Sequence, residues 1–150
     1  MQLSPHFTLA ELIRSDTATR KGIRNVPTRA QVAALTALCE HVLEPVRAHF
    51  GRPVRVTSGF RAPAVCVAIG GSTSSQHTRG EAADFEIPGV PNLDVARWIR
   101  DTLTFDQLIL EFYTRGQPNS GWVHCSYRVD RARHDVLTFA GRRYLKGLVA

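Results

Sequence analysis

The chain has 150 residues, of which 43% are hydrophobic and 21% charged, so its composition fits one globular domain and excludes a disordered chain. Its formal net charge of +6 favours a polyanionic partner such as nucleic acid, anionic lipid or an acidic cell wall. No stretch approaches the roughly 20 apolar residues that a membrane-spanning helix needs, so we expect no membrane insertion.

The first half of the chain is predicted to be mainly helical. Residues 8–11 have the capping-box pattern that begins a short helix, and the polar residues 15–26 are predicted to form a loop. A second capping box at residues 28–31 begins the longest helix of the chain. That helix should kink or end at Pro45 and stop at Gly51.

The second half is predicted to supply a sheet. Four segments have the β-branched or alternating pattern of strands: 54–57, 82–87, 107–112 and 122–127. Helices are predicted at residues 63–69 and 92–103, the latter capped by Asn92. Residues 135–148 should form a closing hairpin or a strand with a tail. The order of elements predicts an α+β fold with a small, mostly antiparallel sheet flanked by helices, in a single domain spanning residues 1–150.

The three cysteines, Cys39, Cys66 and Cys125, are odd in number and form no Cys-x-x-Cys pair. This pattern predicts neither a disulfide framework nor a cysteine zinc knuckle. We expect all three to be reduced and buried, in a protein made in the cytoplasm. The first residues lack the apolar core of a secretory signal, so action outside the cytoplasm would require another route of release.

The most informative stretch is residues 75–84, which places His77 and Asp84 seven positions apart with a glycine between them. A second histidine, His124, follows near the C-terminus. Two neutral imidazoles and one carboxylate make a three-ligand set for Zn²⁺ that leaves a fourth position for water. Each residue also has a plainer interpretation: a structural or surface role for the histidines, and a salt bridge to an arginine for Asp84.

Three motifs follow one another along the chain: Ser-Gly-Phe-Arg at 58–61, then Ser75, His77, Gly80, Ala82 or Ala83, and Asp84, and finally Trp-Val-His at 122–124. In this order they resemble the M15 peptidase family. That family includes the D-Ala-D-Ala carboxypeptidases and phage endolysins and shares a fold with the Hedgehog signalling domain. Residues 3–11 and 70–72 resemble the short, single-domain phage-type branch.

The resemblance implies that His77, Asp84 and His124 bind zinc, and that Arg61 orients a carboxylate or carbonyl of the substrate. It implies a zinc metallopeptidase that hydrolyses a peptide bond in the stem or cross-link of bacterial peptidoglycan, as an endopeptidase or a carboxypeptidase. We expect a phage or prophage endolysin, monomeric, that acts on the cell wall in the periplasm after release. L-Ala–D-Glu, D-Ala–diaminopimelate and terminal D-Ala–D-Ala bonds remain open as the target.

The chain departs from the family at the general base. Many relatives carry an acid three residues before the last histidine, where this chain has Gly121. We predict that Glu111 is the base, because it ends an apolar strand beside the strand of that histidine and apolar neighbours raise its pKa. Glu86, which shares a strand face with the aspartate ligand, and Glu81, in the ligand loop, remain alternatives.

Two other functions remain open at this point. A catalytically inactive zinc-containing binding module of the same fold is favoured by Gly121. A basic nucleic-acid binder is disfavoured, because aromatic and basic residues are not interleaved and no recognition motif is present. The arginines around residues 128–133 are typical of a solvated basic surface rather than a binding arm. We therefore expect no nucleic-acid partner.

Overall fold

The computed structural model describes residues 1–149 as an α+β structure, which confirms the predicted fold class. The helices are α1 (Leu9–Ile13), α2 (Asp16–Lys21), α3 (Arg29–Leu38), α4 (Glu44–Phe50), α5 (Pro63–Ala68) and α6 (Asn92–Thr102). The strands are β1 (Gln2–Ser4), β2 (Phe7–Thr8), β3 (Arg55–Ser58), β4 (Ala82–Glu86), β5 (Gln107–Glu111), β6 (Trp122–Ser126), β7 (Asp135–Phe139) and β8 (Tyr144–Lys146).

Six strands form the main sheet in the order β3-β4-β6-β5-β7-β8. Its neighbouring strands are antiparallel except for β5 and β7, which run parallel, so the predicted mostly antiparallel sheet is confirmed. The predicted closing hairpin is also present, as β7 and β8. A separate two-stranded hairpin, β1 with β2, was not predicted from the sequence because its strands are only three and two residues long.

The two faces of the main sheet differ in character. Alternate residues of its central strands join the hydrophobic core: Ala83, Phe85, Leu108, Leu110, Val123 and Cys125. The same core contains the apolar side chains of the helices, among them Leu35, Leu38, Val46, Val95 and Ile99. The helices therefore cover one face, and the residues between the core positions lie on the opposite face, where the polar site is found.

The longest helical region begins at the predicted capping box, in which Thr28 and Gln31 bond reciprocally. A π-helical segment, Cys39–Leu43, connects α3 to α4. The irregularity that was predicted at Pro45 therefore lies just before this proline. Pro45 itself is in the first turn of α4, where a missing N–H costs least. Gly51 ends the region in the left-handed conformation, with φ of 62°, as predicted.

The predicted loop at residues 15–26 is wrong, because α2 lies within it. The Ser15 side chain accepts a hydrogen bond from the backbone N–H of Ala18 and caps this helix, and Gly22 ends it in the left-handed conformation. The segment carries little apolar periodicity, so its two end caps and the burial of Ala18 determine the helix.

The predicted role of Asn92 is also wrong. The position before α6 is occupied by Pro91, and no side chain caps this helix. The Asn92 side chain instead donates hydrogen bonds to the carbonyls of Ser120 (2.9 Å) and Gly121 (3.1 Å). Asn92 thus fastens the turn that leads into β6 to the start of α6.

The three cysteines are buried and free, as predicted. Burial raises the pKa of the Cys39 thiol to about 12, so this thiol is inert at neutral pH. Within residues 1–149, every helix is too short or too polar to cross a membrane.

Candidate metal centre

The register of β4 and β6 brings Asp84 and His124 together. The two residues are directly opposite in the antiparallel pair, so their side chains lie on the same face of the sheet. Nδ1 of His124 lies 3.0 Å from Oδ1 of Asp84. Both residues are only 8% exposed, so this carboxylate and this imidazole face each other in a nearly dry environment.

His77 reaches the same carboxylate from a short 3₁₀ turn, Gln76–Arg79. The Ser75 side chain caps the turn by accepting the His77 N–H at 3.2 Å, and Gly80 closes it with φ of 72°. Nε2 of His77 lies 3.4 Å from Oδ1 of Asp84. The segment before β4 is therefore an ordered turn that directs the His77 imidazole toward the sheet.

The segment after β3 holds this turn in place. Nδ1 of His77 lies 2.7 Å from the carbonyl oxygen of Gly59, and the Arg61 N–H donates to the His77 carbonyl at 3.1 Å. Gly59 packs so closely on the Leu12 carbonyl of α1 that a Cβ would collide with it. The glycine of the Ser-Gly-Phe-Arg motif is thus required for the close approach that fixes the His77 ring.

The hydrogen bond to Gly59 also determines the state of the His77 ring. A carbonyl oxygen can only accept, so Nδ1 carries the proton and Nε2 of the neutral ring presents a lone pair. That lone pair faces a carboxylate oxygen, which is an acceptor as well. Burial lowers the pKa of His77, although Asp84 opposes the effect, so the neutral ring predominates. Two facing acceptors require a cation between them, either a proton or a metal ion.

The separations of the donor atoms fit a zinc ion. The three ligand atoms of His77, Asp84 and His124 all lie within 4.8 Å of one another. In a tetrahedral site with bonds of about 2.0–2.1 Å, donor atoms lie about 3.3 Å apart, close to the 3.0 Å and 3.4 Å measured from Oδ1 of Asp84. Two imidazoles and one carboxylate are also a donor set that suits zinc. This His-Asp-His triad is placed to bind a metal.

The pKa of Asp84 supports the same arrangement. Burial alone would raise the pKa of this carboxyl, but the two histidines lower it well below its usual range. The carboxylate is therefore ionised at neutral pH and available as a ligand, although it is nearly inaccessible to solvent.

The triad lies in a cavity of about 580 Å³. Four arginines contribute to its wall: Arg61, Arg79, Arg131 and Arg133. The acids of the wall are Asp84 and Glu111, and the sheet contributes Ile109 and Trp122. The cavity is large enough to hold several residues of a peptide, and its cationic wall favours an anionic one.

Glu111 lies in this cavity, on the same sheet face as the triad. It is the last residue of β5 and lies opposite Trp122, which is two residues before His124 on β6. The prediction that the strands of Glu111 and His124 are neighbours is therefore confirmed. The Trp122 indole N–H donates to Oε2 of Glu111 at 2.8 Å. Burial, and next the charge of Asp84, raises the pKa of Glu111. The position of Glu111 beside the triad and the direction of its pKa shift are those expected of a general base near a metal.

The two alternative acids are engaged elsewhere. Glu86 forms an ion pair with Arg55 across β3 and β4, at 3.2 Å. Glu81 lies 3.0 Å from Arg79 and 3.6 Å from Arg128. Among the residues that the structure describes, neither glutamate lines the cavity of the triad.

The family's missing acid has a structural explanation. Gly121 has φ of 64°, and a Cβ at this position would collide with the carbonyl of Glu111 and the backbone of Phe112. Phe112 is itself in the left-handed region, with φ of 56°. The backbones of these two segments touch where β5 ends, so no acidic side chain can occupy position 121 in this conformation.

Arg61 lines the cavity close to the triad. Its Nε atom is buried and has no hydrogen-bond partner within residues 1–149. A buried donor without a partner is unfavourable, so the guanidinium is suited to receive a polar group from a ligand. The predicted role of Arg61 in orienting the substrate stays a prediction.

The cavity-wall residues that sequence reasoning missed include Arg131, Arg133 and Tyr144. They lie in the segment after β6 and on β8, and their spacing gives no sign of a site. The sequence alone assigned these arginines to a solvated surface. Their placement depends on a buried carboxylate, Asp106, whose role was not visible in the apolar and polar pattern of the chain.

In a comparison with protein families, a family model described as Peptidase M15 matches residues 5–126. The matched region contains the triad, Arg61 and Glu111. It ends before Arg131, Arg133 and Tyr144. No curated protein matches the chain.

Proposed function

The chain belongs to the M15 peptidase family, and we propose that it is a zinc metallopeptidase that hydrolyses a peptide bond in bacterial peptidoglycan. The observation that carries the proposal is the convergence of His77, Asp84 and His124 in one cavity, with Glu111 on the same sheet face. The site thus combines a ligand set for zinc with a nearby carboxylate whose pKa is raised.

In this proposal His77, Asp84 and His124 hold the zinc, which supplies Lewis-acid activation of water and of the scissile carbonyl. Glu111 accepts the proton of the attacking water and then delivers it to the leaving amine. Burial and the charge of Asp84 raise the pKa of Glu111, which favours acceptance of that proton. The Trp122 indole holds one oxygen of Glu111 and so orients the other.

Arg61 is proposed to bind a substrate carboxylate or to support the negative charge that develops on the carbonyl oxygen. Two observations support this role: the side chain lines the cavity and its Nε donor lacks a partner within the described residues. The backbone of Arg61 is tied to His77, so the guanidinium and the metal ligand are positioned by one local structure.

We further propose that the chain is a phage or prophage endolysin that acts as a monomer on the cell wall after release from the cytoplasm. The net charge of +6 favours approach to an anionic wall. The resemblance of residues 3–11 and 70–72 to the phage-type branch also supports this role.

An inactive zinc-containing binding module remains the second candidate. The feature that favours it is Gly121 in the position of the family's acid. The structure weakens that argument, because Glu111 brings a carboxylate into the cavity from a neighbouring strand.

Digestion of purified Gram-negative peptidoglycan tests the proposal. The zinc-loaded protein, and the same protein after chelation, are incubated with the wall, and released fragments are identified by mass spectrometry. We expect one type of new amine terminus with the zinc-loaded protein alone, which identifies the bond. No fragment release by protein that holds one equivalent of zinc would contradict the peptidase and favour the binding module.

A further inference from the structure

The wall of the cavity extends beyond the part of the chain that matches the family. Arg131 and Arg133 line the same cavity as the triad, although the family match ends at residue 126. Two residues of the cavity wall therefore lie outside the matched region.

Both arginines are held by a single buried carboxylate. Asp106 is fully buried, and its oxygens accept Nε and Nη2 of Arg131 at 3.1 and 2.9 Å and the same two atoms of Arg133 at 2.9 and 2.9 Å. Gln76, next to His77, donates to Asp106 at 3.0 Å. Paired hydrogen bonds fix the plane and direction of a guanidinium, so both side chains are rigidly placed relative to the triad.

The arrangement leaves positive charge and free donors. One carboxylate faces two guanidinium groups, so Asp106, Arg131 and Arg133 together carry a net charge of +1, part of which the nearby charge of Asp135 offsets. Each arginine uses Nε and Nη2 toward Asp106, and within residues 1–149 neither Nη1 atom makes a hydrogen bond. The arginine side chains are 40% and 42% exposed, whereas Asp106 is 0% exposed. The anchor is thus buried while the arginines face the solvent-filled cavity.

We propose that Arg131 and Arg133 form an anion subsite that binds a carboxylate of the substrate peptide outside the bond that is cut. The inference rests on the proposed function. Peptidoglycan stem peptides offer such groups, since their D-glutamyl and diaminopimelyl residues can each carry a free carboxylate. Arginine donors in a fixed orientation match a planar carboxylate better than a neutral amide, so the subsite selects stems in which that group is not amidated.

A purely structural role for Arg131 and Arg133 is the simpler explanation of the Asp106 cluster. In that case the Asp106 cluster only fastens the segment after β6, and the arginines do not affect which peptide binds. The two explanations differ in one measurable quantity, the preference for a carboxylate over the corresponding carboxamide.

Binding measured without turnover tests the subsite independently of catalysis. Zinc-loaded Glu111→Gln protein is titrated by calorimetry with a synthetic stem peptide that has all carboxylates free, and with peptides in which each carboxylate is amidated in turn. We expect one amidation to weaken binding by about tenfold or more, because hydrogen bonds to charged groups are the strong ones. Adding Arg131→Gln or Arg133→Gln should reduce that preference to about twofold or less.

Arg128→Gln is the matched control. It lies in the same segment and pairs with Asp130 and Glu81, and it is not among the residues that line the cavity. It should leave the preference unchanged. Arg133→Lys, which keeps the charge beside Asp106 but loses the paired hydrogen bonds, should also reduce the preference. Its melting temperature measures the accompanying loss of stability separately.

Equal affinity for all peptides in the parent would overturn the subsite, as would a preference that persists in both Arg131→Gln and Arg133→Gln. Failure of the proposed function is a different result: wild-type protein cleaves none of the peptides. Since binding does not depend on cleavage, each result can occur without the other.

Discussion

At the scale of single residues, the proposed zinc site depends on Asp84. Its carboxylate is the shared neighbour of both histidines, and its negative charge offsets part of the charge of a bound cation. Asp84→Asn keeps the shape but removes that charge, so we expect zinc affinity to fall by about 100-fold or more. Metal content after dialysis against a chelator measures the effect.

Glu86→Gln is the control for this substitution. It removes an acid from the same strand, but its ion-pair partner is Arg55 and it does not line the cavity in the described structure. This variant and the wild type should each retain one equivalent of zinc. An Asp84→Asn variant that retains a full equivalent of zinc would show that the zinc is held by other residues.

The hydrogen bond from Trp122 predicts a change in pH dependence. The indole N–H stabilises the ionised form of Glu111 and so limits the rise of its pKa that burial causes. Trp122→Phe removes this donor, and the pKa of Glu111 should rise further. A general base works in its unprotonated form, so the acidic limb of kcat/KM should move to higher pH. A limb that stays in place or moves to lower pH would contradict the assignment of Glu111.

Residue types and spacing predicted His77, Asp84 and His124 as a ligand set and placed Glu111 beside the strand of His124, whereas the role of Arg61 was predicted from the family resemblance. They could not exclude Glu86, because alternation along a strand places it on the face of Asp84. The structure distinguishes Glu86 from Glu111, because Glu86 forms an ion pair with Arg55 on the neighbouring strand. Such contacts between strands depend on register, which the sequence did not specify.

At the scale of elements, the junction between the end of β5 and the start of β6 determines where Glu111 lies. Gly121 allows the two backbones to touch. Gly121→Ala should destabilise the fold by about 2 kcal/mol or more, because it adds both a collision and a strained φ. In a chain of this size the melting temperature should fall by about 5 °C or more.

Gly116→Ala separates the two causes. Gly116 also has a positive φ, of 85°, but a Cβ there would meet nothing within 4 Å. Only the strain of about 1–2 kcal/mol should appear in that variant. Equal melting temperatures for the two variants would show that the contact between β5 and β6 does not matter for stability.

Local signals predicted most of the elements. The two capping boxes, the glycine that ends α4 and the alternating strands are each determined by residues close together in sequence. The π-helical segment, α2 and the β1–β2 hairpin were missed because they are short or carry little periodicity. The role of Asn92 was wrong for a related reason, since its partners are 28 and 29 residues away in sequence.

At the scale of the whole molecule, the net charge of +6 predicts salt-dependent action on the wall. Peptidoglycan carries many carboxylates, and added salt screens their long-range attraction to a basic protein. The rate of hydrolysis of insoluble peptidoglycan should fall severalfold between about 20 mM and 300 mM salt, where the Debye length shortens from about 20 Å to about 6 Å. Hydrolysis of a short soluble stem peptide should fall less. Equal effects on both substrates would contradict a role of the overall charge.

The most direct test of the proposed peptidase compares wild type with Glu111→Gln on purified peptidoglycan, each protein loaded with one equivalent of zinc. The number of new amine termini per molecule of protein is followed with time. We predict steady release by the wild type and a rate at least about 100-fold lower for Glu111→Gln, with unchanged zinc content, since a general base typically contributes 10²–10⁴-fold. Equal release by both proteins would contradict Glu111 as the base, and no release by either would contradict the peptidase itself.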